Sequence, residues 1–165
     1  MRKVKEFDVQ TDQKKALYEE AQKELISITE GETNVTALMA TVSCVLSQKF
    51  DHYFWTGFYN VDPEKENELI VGPYQGTLGC LRIPFGRGVC GAAASSRQTQ
   101  VVPDVHAFPG HIACDSRTNS EIVVPVINAD GQLIAVLDVD SVEHNSFDET
   151  DRIALETLMQ RIFAQ

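Results

Sequence analysis

The sequence predicts an α+β fold: a central antiparallel sheet with helices packed on it. Two segments with helical apolar stripes come first. Two pairs of strand-like segments follow, each pair joined by a tight turn, and a further helical stripe comes last. Consecutive hairpins build antiparallel sheets, whereas parallel neighbours need long crossovers. At 165 residues and 43% hydrophobic content, the chain reads as a single domain over 1–165, large enough for a core without disulfide staples. Its helical N-terminal part covers 12–50, the strand-rich part 53–141, and a C-terminal helix 147–164.

Leu17, Ala21, Leu25 and Ile28 recur at helical spacing, which predicts a helix over 12–29 that Gly31 stops. Asn34 is an N-cap type, and Val35, Leu38, Met39, Val42, Val45, Leu46 and Phe50 form the apolar face of a second helix. Cys44 lies off that face. Tyr53 to Tyr59 (YFWTGFY) has the aromatic content of a strand, and alternation places Trp55, Gly57 and Tyr59 on one side. The turn at Asp62-Pro63 leads to a returning strand over Glu68 to Val71, which Gly72-Pro73 is expected to end.

A short strand is expected from Cys80 to Pro84, then a tight turn (PFGRG) and a small-residue helix from Val89 to Arg97 with Cys90 in its first turn. Gln100 to Val102 reads as a short strand. Residues 104–118 show no periodicity, and a long loop in a compact domain points to function or disorder. Glu121 to Ile127 and Gln132 to Asp140 read as a hairpin around Asp130-Gly131. Parity places Ile134, Val136, Asp138 and Asp140 on one face, so two carboxylates extend an apolar stripe, where they are costly unless paired or useful. Ser146-x-x-Glu149 has the form of a capping box before the last stripe: Ile153, Leu158, Met159, Ile162 and Phe163.

The balance of 14 basic and 24 acidic residues gives −10, with a pI near 4.8. An acidic surface repels nucleic acid and anionic membranes, so neither is the expected partner. No apolar run approaches the roughly 20 residues that span a bilayer. The N-terminal MRKVKEFDVQTDQKK has no apolar core of a secretory signal. The expected location is the cytoplasm, where thiols are kept reduced and cysteines serve chemistry more often than stapling.

Three of the four cysteines fall between Cys80 and Cys114, in CLRIPFGRGVCGAAASSRQTQVVPDVHAFPGHIAC, together with His106 and His111. A thiol becomes nucleophilic at a helix start or beside a cation. Cys90 has the helix start; Cys114 has His111 and Arg117 nearby and a loop that permits the movement a disulfide requires. Two such thiols allow a cycle of sulfenic acid, disulfide and reduction. Zinc ligation by Cys80, Cys90, His106, His111 and Cys114 is the rival, with His111-x-x-Cys114 its one tight pair. Glu121, Asp138 and Asp140 are either hairpin residues facing water or a gathered cluster. If gathered, their mutual repulsion raises at least one pKa, leaving a proton donor beside ionised neighbours that suit an ammonium. Trp55 and Tyr59 are either core or an aromatic wall for a sulfur or a small apolar group.

WTGFY (55–59), VGPYQGTLGCLRIPFGRGVCG (71–91), DVHAFPGHIACDSRTNSEIVVPV (104–126) and LDVDS (137–141) closely resemble the free methionine-(R)-sulfoxide reductases. The resemblance spans about 53–141 and implies a single GAF-like domain with this stretch as its catalytic core. It implies Cys114 as nucleophile, Cys80 as resolving thiol and Cys90 as auxiliary thiol. Trp55, Tyr59, Glu121, Asp138 and Asp140 match the family's ligand pocket, with no metal. Cys44 matches no motif. The implied substrate is free L-methionine (R)-S-oxide, reduced with no bound cofactor and with thioredoxin as external reductant; a homodimer is left open. The alternative is a non-catalytic GAF module that binds a small ligand or senses redox state through Cys80 and Cys114.

Overall fold

The computed structural model describes the backbone of residues 2–165 and the side chains from residue 10 onward. Helices α1 (Arg2–Ile28) and α2 (Val35–Lys49) precede strands β1 (Trp55–Val61), β2 (Glu68–Gln75) and β3 (Arg82–Pro84). Helix α3 (Gly88–Ser96) and strand β4 (Gln100–Val102) follow. A single 3-10 turn (Val105–Ala107) then leads to β5 (Ser120–Ile127), β6 (Leu133–Ser141) and helix α4 (Glu149–Phe163). The six strands form one antiparallel sheet in the order β3-β2-β1-β6-β5-β4. The predicted α+β class with an antiparallel sheet is the observed one. Among the described residues no helix is long and apolar enough to cross a membrane.

The period of two divides the sheet into two apolar faces. Phe58, Ile122, Val124, Leu137 and Val139 point to one side, where α1, α2 and α4 supply Leu25, Met39, Leu46, Leu155 and Leu158. Trp55, Tyr59, Leu69, Val123 and Val136 point to the other, under α3 and its Val89, Cys90 and Ala93. The helical layer is thick and anchors the sheet. The α3 side is thinner and includes the 104–118 loop, so a site that must open belongs there.

Several local expectations are corrected. Helix α1 begins well before residue 12, and its buried stripe is Tyr18, Ala21 and Leu25, while Leu17 and Ile28 are exposed. Tyr18 faces inward because its hydroxyl has buried partners: it donates to Asp151 Oδ1 at 2.6 Å and lies 2.5 Å from the Tyr53 hydroxyl. Lys14 completes this knot at 2.7 Å from Asp151, since a buried carboxylate needs a cation and donors. On α4, Ile153 is exposed and Leu155 is buried instead. Asn34 caps α2 as expected, accepting from Ala37 N at 3.0 Å.

The capping box of α4 is Asp148 with Asp151, not Ser146 with Glu149. Asp148 accepts from Thr150 N at 2.8 Å, and Asp151 accepts from Asp148 N at 2.8 Å. Ser146 instead donates to Ser141 Oγ at 2.7 Å, tying the end of β6 to the turn. Strand β2 runs through Gly72-Pro73 to Gln75. Its pairing to β3 covers only Glu68 to Ile70, so Pro73 lies beyond the β3 ladder, beside a register shift against β1. Proline, which has no N–H to donate, is tolerated in such a place. Cys80 precedes β3 rather than opening it. Near the β5–β6 turn a register shift exchanges sides: Leu133 packs on the α3 face and Ile134 on the helical face.

Candidate active site

Strand register assembles the acids. Glu121 on β5 lies opposite Asp140 on β6, and Asp138 lies opposite Val123. All three share the α3 face, where Glu121 and Asp138 are each only 5% exposed. On the other side of β6, Trp55 pairs with Asp140, Gly57 with Asp138 and Tyr59 with Val136. Gly57 has no side chain for a reason of space: a Cβ there would lie 2.1 Å from Tyr74 Cβ. Tyr74 occupies that place and stacks on Trp55 at 4.9 Å, and Tyr59 stacks on Trp55 at 5.6 Å. The acids therefore sit beside an aromatic wall.

Helix α3 closes the cluster from above. At Gly91 a Cβ would lie 2.5 Å from Pro84 O, so glycine lets the helix approach the end of β3. This brings the Cys90 thiol 3.9 Å from Glu121 Oε1. The placement reverses one expectation for Cys90. Burial, and then the charges of Asp138, Glu121 and Asp140, push its thiol well up. They outweigh the helix start, so Cys90 is held as a protonated thiol rather than an activated thiolate.

Burial also pushes the acids up. Asp138 rises from 3.8 to about 6. Glu121 and Asp140 are raised by burial and then by their neighbouring carboxylates, Asp138 foremost. Asp138 Oδ1 and Asp140 Oδ1 are buried with no hydrogen-bond partner among the described residues. Buried acceptors without donors are rare in folded proteins, and a ligand, a water or a proton shared between the acids can supply the donor. The arrangement offers a shared proton near neutral pH and acceptors for a cationic group.

Cys80 and Cys114 meet at the rim of this pocket in a disulfide, with their Cα atoms 5.3 Å apart. Cys90 is buried as a free thiol. Cys44 is a half-buried free thiol on α2 with Gln48 as neighbour. The zinc set fails as a group: the disulfide takes two of its thiols, and His106 bonds Asn119 at 3.0 Å outside the pocket. The atoms that do gather are those of Cys90, Glu121 and Asp138, mutually within 4.8 Å. His111 lines the pocket, and burial lowers its pKa, with His106 adding to the effect.

Sequence reasoning missed three partners. Tyr74 was hidden by the expectation that Gly72-Pro73 ends its strand. Thr77 and Asp115 join the two cysteine loops, with Thr77 Oγ1 donating to Asp115 Oδ2 at 2.8 Å. Arg117 holds Asp115 from the other side at 2.8 and 3.0 Å and lies 4.9 Å over the Phe54 ring. These bonds hold the Asp115 carboxyl well below the usual carboxylate range. They also compensate a negative charge that would otherwise disfavour a thiolate at the adjacent Cys114. Thr77 O accepts from Trp55 Nε1 at 2.8 Å, so the clasp reaches the aromatic wall. The only advance signal was the adjacency of Asp115 to Cys114.

The GAF domain family model matches residues 32–162. A free methionine-R-sulfoxide reductase of Escherichia coli is 39% identical over 149 residues, covering 90% of this chain and 88% of the relative. One of Saccharomyces cerevisiae is 52% identical over 108 residues, 66% of this chain and 60% of the yeast protein's length. The solved structure of the Neisseria meningitidis free methionine-R-sulfoxide reductase, in complex with its substrate, is 48% identical. It superposes with a TM-score of 0.86 over 90% of this chain and 87% of that one. With this fold, this sheet register and these relatives, the chain belongs to the free methionine-R-sulfoxide reductases, a family built on the GAF domain.

Proposed function

We propose that this protein reduces free L-methionine (R)-S-oxide to L-methionine through a cysteine sulfenic acid and an intramolecular disulfide that thioredoxin reopens. The observation that carries the reading is the Cys80–Cys114 disulfide at the rim of a pocket holding a raised-pKa acid cluster and an aromatic wall. A sulfoxide sulfur is electrophilic only when its oxygen is protonated or strongly hydrogen-bonded. The Cys114 thiolate attacks that sulfur while the cluster of Glu121, Asp138 and Asp140 gives the oxygen a proton. The oxygen passes to Cys114 as sulfenic acid and methionine leaves. The Cys80 thiol then displaces water from the sulfenic acid, forming the disulfide. A thioredoxin dithiol takes the disulfide back to two thiols.

The orphaned oxygens of Asp138 and Asp140 suit the substrate's α-ammonium, and Trp55 with Tyr59 suits its methylsulfinyl end. In the disulfide form the free space over the acids is about 30 Å³, which holds water but not an amino acid. Substrate entry therefore requires the Cys114 loop to move once the bond is reduced. Cys90, protonated and against Glu121, serves as an auxiliary thiol rather than the attacking group.

The test is turnover of the free (R)-sulfoxide with thioredoxin, thioredoxin reductase and NADPH. The expected results are NADPH oxidation by the wild type, none above background by Cys114→Ser, and little with the (S) epimer. A wild type that oxidises no NADPH would sink the activity, and full turnover by Cys114→Ser would sink the choice of nucleophile.

A further inference from the structure

We propose that Leu78 and Leu81 form the apolar docking contact for the dithiol protein that reopens the Cys80–Cys114 disulfide. The inference rests on the cycle proposed above and adds to it the surface that receives the reductant.

Leu78 and Leu81 are 79% and 72% exposed, the two most exposed large apolar side chains of the described residues. They lie on either side of Cys80, two residues before it and one after. Single exposed leucines are ordinary on a protein surface. Two that bracket one sulfur of a disulfide are different, because an exchanging partner must cover that ground to bring its thiolate to the bond. The core has no claim on them: Ile83, on the same short segment, is buried at 4% and does the packing. The Thr77–Asp115 hydrogen bond holds the loop that carries Leu78 against the Cys114 loop. The segment that carries Leu78 is thus held in a defined place beside the Cys114 loop.

Most charged groups near the two cysteines are already used internally, although Arg87, on the pocket lining with Cys114, has no ion-pair partner among the described residues. Arg82 Nη1 pairs with Asp62 at 2.5 Å and Glu68 at 3.2 Å. Arg117 and Asp115 pair with each other. A partner approaching Cys80 finds Arg82 committed to Asp62 and Glu68, and the two leucines are the contact left exposed for it beside that thiol. Transient complexes of this kind are small and gain most of their affinity from a few central side chains.

The exchange itself balances. One thiolate of the partner attacks a sulfur of the disulfide, and the other sulfur leaves with the electron pair as a thiolate. The partner's second thiol then displaces the mixed disulfide. The partner ends as a disulfide, and Cys80 and Cys114 end as thiols, having gained two electrons and two protons. Dithiothreitol performs the same exchange without a protein surface.

The test follows reduction of the preformed disulfide in the full chain, with no sulfoxide present, by thioredoxin with its reductase and NADPH, and separately by dithiothreitol. The variants are Leu81→Ser alone, Leu81→Ser with Leu78→Ser, and the apolar control Leu81→Met with Leu78→Met. The expected result is a fall of at least tenfold in the second-order rate with thioredoxin for the double serine variant. The dithiothreitol rate should stay within twofold of wild type, and the methionine control should keep the thioredoxin rate. Equal thioredoxin rates in wild type and double serine variant would overturn the proposal. So would an equal loss with dithiothreitol, which would mean a disturbed disulfide rather than a lost contact. Wild type that reacts with dithiothreitol but not with thioredoxin would refute this partner. Serine variants that only dissociate a dimer, with the thioredoxin rate kept, would assign the leucines to a second copy of the chain. Failure of the proposed activity is read separately, as absence of dithiothreitol-supported sulfoxide turnover by wild type.

Discussion

Asp138→Asn tests the acid cluster through stability rather than activity. Burial raises the Asp138 carboxyl from 3.8 to about 6. The folded chain therefore holds this proton across a window in which the unfolded chain has already released it. For an acid raised by folding, stability is fully present below about 3.8 and is lost as pH rises to about 6. At one pKa unit per roughly 1.4 kcal/mol, the full cost of ionising this buried group is about 3 kcal/mol. Asparagine keeps the shape without that cost, and it removes the charge that raises Glu121 and Asp140. The variant is expected to be more stable than wild type by about 3 kcal/mol near pH 8 and by about half of that near pH 5. It is expected to lose sulfoxide turnover, the exchange of stability against function seen at strained sites.

Urea unfolding of both disulfide forms, followed by far-ultraviolet circular dichroism at the two pH values, supplies the difference. The comparison between variants matters because His52 and His111 are lowered, chiefly by burial. Each makes stability rise with pH through its own window, partly masking the carboxylate in either protein alone. In the difference between the two proteins the histidine contributions cancel. An asparagine variant no more stable than wild type near pH 8, or a difference that does not grow with pH, would refute the buried ionisation argued for the cluster.

Gly57→Ala is expected to destabilise the fold by about 3 kcal/mol, because the new methyl falls on Tyr74 Cβ and on Pro73 O, 2.9 Å away. Thermal unfolding reads the loss, and near-ultraviolet dichroism of the Trp55–Tyr74 stack reads the displacement; an unchanged melting temperature would disprove the packing argument. Thr77→Val removes the hydroxyl donated to Asp115 and is expected to slow disulfide closure after a peroxide pulse by about tenfold, one hydrogen bond to a charged group. Dimedone trapping of the sulfenic acid should rise in step and Thr77→Ser should restore closure, whereas closure at the wild-type rate in Thr77→Val would remove the clasp from the cycle.

Much of the site was readable from the chain because its strands alternate with a period of two, a local property of the backbone. Parity alone put Asp138 with Asp140, and Trp55 with Gly57 and Tyr59, and the sheet keeps those faces. The N-cap of α2 was readable for the same reason: Asn34 bonds three residues along its own chain. Where local signals misled, a distant partner had outbid them. Tyr18 rather than Leu17 is buried because Tyr53 and Asp151, far along the chain, engage its hydroxyl. Ser146 looked like a cap and was claimed by Ser141. Pro73 looked like a strand end, and the short reach of β3 let the strand continue.

The sequence by itself determined the fold class, most of the strand faces and, through resemblance, which cysteines to expect at the site. Tertiary structure alone decided how those pieces become a site. It paired Cys80 with Cys114, which thiol spacing left undecided, and it buried Cys90 against Glu121 so that a helix start no longer activates it. It also gathered acids from two strands into one desolvated cluster. The physical reason is range. Alternation and capping act over two to four residues and are written in order along the chain. Desolvation and charge–charge coupling depend on what lies within a few ångströms in space, and only the folded sheet brings those groups there.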